Sequence, residues 1–152
     1  MSYRILVGVL LCLVAATAAR ASVTLRECGG AVSESNGKIL VAEDESAVAS
    51  LIVIILKGMN YEAKVAKSNR EAEAHLAANE FVAAFIDVNL GADDGIALAR
   101  ALRAKGIATM LMSGAHDTLP TVEGLSSLAK PFNLFQFKAA VQKLIPPPET
   151  SD

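Results

Sequence analysis

Five side chains of the types used in phosphoryl-transfer chemistry each follow a short apolar run of the sequence. Glu43 and Asp44 follow one run, Asp87 a second, Ser113 a third and Lys130 a fourth. Three neighbouring carboxylates would raise each other's pKa, and a hard divalent cation such as Mg²⁺, which prefers oxygen ligands, would relieve that repulsion. The hydroxyl and the ammonium would then stabilise an anionic oxygen. Brought together, these groups supply the nucleophile, the metal site and the neutralising donors that phosphoryl transfer requires.

Short, mainly apolar segments predict buried β-strands, and four of the five segments end at one of these side chains. We expect strands over Ile39–Ala42, Tyr61–Ala66, Phe81–Ile86, Ala108–Met112 and, with its core alone identified, Leu128–Ala129. Continuous apolar runs of this length are typical of strands that are covered on both faces of a sheet.

The segments between and after the strands predict helices. We expect them over 46–58, 68–78, from 94 or 95 to 105, and 133–144. Gly58 and Gly106 are typical of helix ends, and Ser68 with Glu71 has the spacing of a capping box. The first helix contains Leu51–Leu56, which is apolar on all sides, so a strand remains an alternative there.

Strand and helix alternate about five times along the chain, which predicts an α/β domain. Such a pattern is typical of a parallel sheet with helices on both faces, wound by right-handed crossovers. Sites in sheets of this kind lie at the carboxyl ends of the strands. The five side chains are therefore expected to converge on one edge of the sheet.

Four segments resemble the signature segments of response-regulator receiver domains. They are Lys38–Glu45 (KILVAEDE), Phe85–Leu90 (FIDVNL), Met112–Gly114 (MSG) and Ala129–Phe132 (AKPF). Gly95, eight residues after Asp87, also lies where the family has a glycine. The resemblance covers residues 38–144 and implies a flavodoxin-like, doubly wound sheet of five parallel strands in the order 2-1-3-4-5.

The resemblance also implies a role for each member of the site. Asp87 would be the phosphoacceptor, with Ser113 hydrogen-bonded to the phosphoryl group and Lys130 paired with it. A cis peptide would precede Pro131. Mg²⁺ would be held, in part through water, by Glu43, Asp44, Asp87 and the backbone carbonyl of Asn89. Such a domain catalyses its own phosphorylation and dephosphorylation and is a signalling module, not an enzyme with a separate substrate.

Three features depart from the family pattern. Gly91 replaces a proline that many receivers have after the phosphoacceptor, a loop change that we expect to have little chemical consequence. Ser127 occupies the position of the aromatic residue that usually reports phosphorylation. Ser113 and Lys130 are 17 residues apart, fewer than is usual, which predicts a short or irregular fourth helix.

The implied partners are a sensor histidine kinase or a histidine phosphotransfer protein as donor, and an unidentified protein that receives the output. Basic and acidic residues number 14 and 16, with no basic cluster, so nucleic-acid binding has no electrostatic support. One alternative is a degenerate receiver that acts as a scaffold. Another is an aspartate-nucleophile phosphatase of the haloacid-dehalogenase type, which Asn89 disfavours because an amide cannot replace the second acid of those enzymes.

Residues 1–37 are predicted to form an extension, 38–144 the receiver domain and 145–152 a disordered tail. Arg4, the apolar run Ile5–Ala19 and the following Arg20-Ala21 are typical of a secretory signal, while a translation start downstream of Met1 is the alternative. A helix of that run would span about 22 Å, which is short of the ~30 Å hydrocarbon core. The run length therefore disfavours a membrane span. We nevertheless expect a cytoplasmic location, because histidine kinases and their ATP are cytosolic.

Overall fold

A computed structural model of the chain describes residues 34–114 and 122–146. The described residues from Ser35 onward belong to one compact unit. The signal-like run at 5–19 lies outside the described residues, as do nearly all of the extension predicted over 1–37 and the tail beyond residue 146.

The main sheet has five parallel strands in the order that the resemblance implied. Numbered along the chain, they are β1 (Lys38–Ala42), β2 (Glu62–Ala66), β3 (Ala83–Asp87), β6 (Ala108–Ser113) and β7 (Ser126–Ala129). Their order in space is β2-β1-β3-β6-β7, with every neighbouring pair parallel. The doubly wound α/β prediction is therefore confirmed.

A second, two-stranded sheet follows β3 directly and was not predicted. Its antiparallel strands are β4 (Asn89–Leu90) and β5 (Asp93–Asp94). Gly91 begins the two-residue turn between them with φ +61°. A positive φ at this position is typical of tight hairpins and is a conformation that proline cannot adopt. Glycine therefore suits this hairpin turn, and the expectation that the change has little chemical consequence stays a prediction.

Four helices accompany the strands in the described part of the chain: α1 (Ser46–Gly58), α2 (Asn69–Ala78), α3 (Gly95–Ala104) and α4 (Leu134–Leu144). The apolar stretch Leu51–Leu56 is helical, so the strand alternative is wrong. The fourth helix predicted between Ser113 and β7 falls largely on 115–121, outside the described residues; Val122–Leu125 form a turn.

The core has two layers because successive residues of β1 point to opposite faces. Ile39 and Val41 join the cluster under α1 and α4, whereas Leu40 and Ala42 join the cluster under α2 and α3. All four side chains are fully buried. The continuous apolar run is therefore explained by burial on both sides of the sheet.

The start of β3 and the cap of α2 differ from the prediction. β3 begins at Ala83, two residues later than predicted. Before the strand begins, Val82 N donates a hydrogen bond to Lys38 O at 2.9 Å. Ser68 accepts from Glu71 N, but the Glu71 carboxylate accepts from Lys67 N, so only half of the capping box forms. The complete capping box lies instead at Asn133 and Gln136 of α4.

None of the helices in the described part of the chain combines the length and the apolar character that crossing a membrane requires.

Phe135 and Phe137 provide a matched test of the core. Phe137 is fully buried, with ring centroids 4.7 Å from Phe85 and 5.3 Å from Phe132, whereas Phe135 is 79% exposed. Phe137 therefore belongs to the core, and Phe135 does not. Phe137→Ala should lower the free energy of unfolding by about 3–5 kcal/mol, and Phe135→Ala by less than about 0.5 kcal/mol, as measured by urea denaturation. Equal losses would contradict this assignment of the core.

Candidate functional site

The register of the parallel strands places the chemically active side chains at one edge of the sheet. Asp87 is the last residue of β3 and is paired with Met112, and Ser113 ends β6 beside Ala129. Glu43 follows β1 and is anchored by its amide, which donates to Ala66 O at 3.0 Å. Because all the strands run in one direction, their carboxyl ends bring these residues together.

Three carboxylates form a compact oxygen cluster. One carboxylate oxygen from each of Glu43, Asp44 and Asp87 lies within 4.8 Å of the others. Glu43 and Asp87 are buried, and Asp44 is exposed, so the cluster opens to solvent on the Asp44 side. Hard anionic oxygens at this spacing are the donor set that Mg²⁺ prefers. The residues present therefore fit a divalent cation.

Lys130 connects the two buried carboxylates. Its Nζ lies 2.7 Å from Asp87 Oδ2 and 2.5 Å from Glu43 Oε2, and its side chain is 17% exposed. Its backbone amide donates to Ser113 O at 2.6 Å, which fixes the start of the β7–α4 connection against the end of β6. The Lys130–Pro131 peptide is cis, as the resemblance implied.

The pKa shifts follow from burial in this cluster. Burial raises the pKa of the Glu43 carboxyl above its usual value, and the hydrogen bond and charge of Lys130 only partly oppose the increase. Burial lowers the pKa of Lys130, but the interactions with Asp87 and Glu43 together outweigh it, so the pKa of the ammonium is raised. Lys130 is therefore held in its charged form by the carboxylates that it bridges.

Ser113 presents an unsatisfied hydroxyl. The residue is fully buried, and its Oγ has no hydrogen-bond partner among residues 34–114 and 122–146. A buried polar group without a partner costs about 1–3 kcal/mol. Such a cost at the end of β6, beside the carboxylates, is consistent with a donor reserved for a ligand.

The comparison with known families agrees with this geometry. The family model of the response regulator receiver domain matches residues 39–142, about two thirds of the chain. The chain belongs to this family.

Two curated relatives of the receiver are named as a transcriptional regulatory protein and a DNA-binding response regulator. It is 30% identical over 118 residues to the alginate biosynthesis transcriptional regulatory protein AlgB of Pseudomonas aeruginosa, covering 73% of this chain and 26% of AlgB. It is 28% identical over 102 residues to the DNA-binding response regulator MtrA of Mycobacterium tuberculosis, covering 66% of this chain and 45% of MtrA. The receiver therefore spans less than half the length of either relative.

A solved receiver domain has the same fold. The receiver domain of the Francisella response regulator 1452 superposes with a TM-score of 0.61 at 28% identity, covering 72% of this chain and 96% of that one.

The structure shows where Ser127, which the resemblance placed at the position of the switch aromatic, lies on β7. Ser127 is half-buried and paired with Leu111, so its small side chain lies on the face of the sheet that α2 and α3 cover. Ser127 therefore has no aromatic ring whose rotation could report phosphorylation. His75 of α2 is half-buried, with Nε2 3.0 Å from Val65 O.

Sequence reasoning placed Asn89 in the site only through its carbonyl. In the receiver, the backbone amide of Asn89 donates to Asp87 Oδ1 at 3.1 Å, and the residue is exposed. The hairpin that contains Asn89 also contains Asp93, whose contact with α2 was missed. No local pattern in the sequence could have shown that contact, because its two residues are 24 positions apart.

Gly95 allows α3 to begin directly against the phosphoacceptor candidate. A Cβ at Gly95 would lie 1.8 Å from Asp87 O, whereas one at Gly58 would meet no atom within 4 Å. Gly95→Ala must displace either α3 or the end of β3, and should lower the free energy of unfolding by about 1–3 kcal/mol. Gly58→Ala, as the control, should be neutral or stabilise by up to about 1 kcal/mol. Urea denaturation of both variants is the measurement, and an unchanged Gly95→Ala variant would contradict the close approach.

Proposed function

We propose that the receiver accepts a phosphoryl group on Asp87 in a Mg²⁺-dependent reaction. The observation that carries the proposal is the convergence on Asp87 of a bridging ammonium, two further carboxylates and a buried hydroxyl without a partner. Lys130 contacts Asp87 Oδ2, and the Asn89 amide contacts Oδ1. Both oxygens of the proposed nucleophile are therefore oriented by this chain before a donor arrives.

The cation would be held by Asp44, Asp87, the Asn89 carbonyl and, through water, Glu43. Glu43 is assigned the indirect role because its Oε2 is paired with Lys130 and its Oε1 accepts from Glu45 N at 3.3 Å. When bound, Mg²⁺ supplies positive charge that neutralises the phosphoryl oxygens during transfer.

The other residues act on the phosphoryl group itself. The Asp87 carboxylate attacks phosphorus, the bond from phosphorus to the donor breaks, and an acyl phosphate forms. Lys130, already charged, neutralises one phosphoryl oxygen, and the Ser113 hydroxyl donates to another. Ser113 ends β6, the neighbour of β3, and Lys130 follows β7, the next strand in the sheet.

The donor would be a sensor histidine kinase or a histidine phosphotransfer protein. A cavity of about 520 Å³ beside Lys130 is lined by Val48, Leu51 and Phe132, among others. Leu51 and Ile54, on the same helix, are 45% and 68% exposed. This apolar surface, which includes the cavity beside Lys130, supports docking of a donor protein. The two relatives are named as a transcriptional regulatory protein and a DNA-binding response regulator, but for this chain we propose output through contact with another protein.

We further propose that the receiver works in the cytoplasm, because the kinases that could phosphorylate it use cytosolic ATP. Fractionation of native cells, with mass spectrometry of the protein's N-terminus, should recover it in the cytosolic fraction. Recovery of an exported chain beginning at Ser22 would contradict the proposal.

Asp87 should be the sole site of phosphorylation. With Mg²⁺ and acetyl phosphate, intact-protein mass spectrometry should show one added phosphoryl group, which chelation of the metal abolishes. Asp87→Asn should show none, because an amide is not a competent nucleophile here, whereas Glu80→Gln, at an exposed carboxylate, should be labelled like the unsubstituted protein. Full labelling of Asp87→Asn would refute the assignment.

A further inference from the structure

Two adjacent carboxylates of β5 hold the first turns of two different helices. Asp94 Oδ1 accepts from Ile96 N at 2.9 Å and from Ala97 N at 3.2 Å, and so caps α3. Asp93 Oδ2 accepts from Asn69 N, in the first turn of α2, at 2.7 Å. Successive side chains of a strand point to opposite sides, which is why neighbouring residues can reach separate helices.

The hairpin that these residues anchor carries a proposed ligand of the metal. Asp93 pairs with Leu90, and Asp94 pairs with Asn89. Asn89 in turn donates its amide to Asp87 Oδ1. A position on α2 is thereby connected to the oxygen cluster through a single hairpin.

Such a hairpin has little stability of its own. Each strand has two residues, and the turn begins at a glycine with positive φ. Isolated two-stranded hairpins are marginal even when much longer. The position of the Asn89 backbone is therefore set by the contacts that hold the hairpin. These are the β3 connection, the buried Leu90 side chain, the α3 cap at Asp94, and two contacts with Asn69 of α2: its backbone amide with Asp93 Oδ2, and its side-chain amide with Asp94 O at 3.5 Å.

We propose that Asp93 is a positioning residue for the metal site. By accepting from the Asn69 amide, it holds the hairpin Asn89–Asp94 against α2 and so keeps the Asn89 carbonyl in place for Mg²⁺. This inference rests on the Mg²⁺ binding proposed above. It assigns Asp93 no contact with the metal or the phosphoryl group.

The role predicts a specific pattern among three variants. Asp93→Ala removes the acceptor and should weaken Mg²⁺ binding about tenfold or more, as loss of a residue that orients a metal ligand typically does. Asp93→Asn keeps an acceptor oxygen but removes the charge, and should bind Mg²⁺ within about twofold of the unsubstituted protein. Ser68→Ala removes a cap from the same helix, where Ser68 accepts from Glu71 N, but does not touch the hairpin, and should also bind normally.

The experiment is a Mg²⁺ titration of the unphosphorylated full chain, followed by amide chemical shifts, with hydrogen exchange of residues 89–94 measured before the metal is added. Asp93→Ala should lose protection in the hairpin, and Asp93→Asn should retain it. Equal weakening by Asp93→Asn would show that charge is responsible, and equal weakening by Ser68→Ala would show a general effect of α2; either result overturns the inference. Unchanged binding by Asp93→Ala overturns the inference alone, whereas absence of Mg²⁺ binding by the unsubstituted protein overturns the proposed function as well.

Discussion

The site depends on one ion-pair constraint, the position of the Lys130 ammonium between the carboxylates of Glu43 and Asp87. Two carboxylates buried side by side at the ends of β1 and β3 would repel each other in a medium that screens charge poorly. Lys130 provides the compensating charge at 2.5 and 2.7 Å. Removing one member of such a group would leave an uncompensated buried charge, so the three side chains stabilise one arrangement together.

The rest of the fold can be understood as the support for that arrangement. β1 and β3 are adjacent parallel strands, so the residues at their ends are brought within a few ångströms. The Ser113 carbonyl accepts from the Lys130 backbone amide, and this hydrogen bond positions the Lys130 side chain, which follows the edge strand β7, at the site. Gly95 permits α3 to start against the Asp87 carbonyl, where a side chain would not fit. The hairpin Asn89–Asp94 follows Asp87 directly, and Asp93 and Asp94 connect it to α2 and α3.

The differences between prediction and structure share a physical cause: tertiary contacts decide where local sequence patterns fit more than one structure. Periodicity placed Leu51–Leu56 between two alternatives, because residues that are apolar all round match a helix and a strand equally well. Packing resolved it, since Ile52, Ile55 and Leu56 are buried at helical spacing. Glu71 has capping-box spacing, yet its side chain bonds one residue further upstream.

The order of the strands was implied by the family resemblance, whereas the sequence by itself determined the fold class and the identity of Glu43, Asp44, Asp87, Ser113 and Lys130 as one set. It could do so because strand alternation and strand-end positions are local properties, and parallel strands necessarily bring their ends together. Only the tertiary structure decided which of these groups are buried, that Lys130 bridges two of them, and that the Ser113 hydroxyl has no partner in the described part of the chain. It alone revealed the hairpin and the contact between Asp93 and Asn69. These features depend on distances between residues far apart in the chain, which no local pattern encodes.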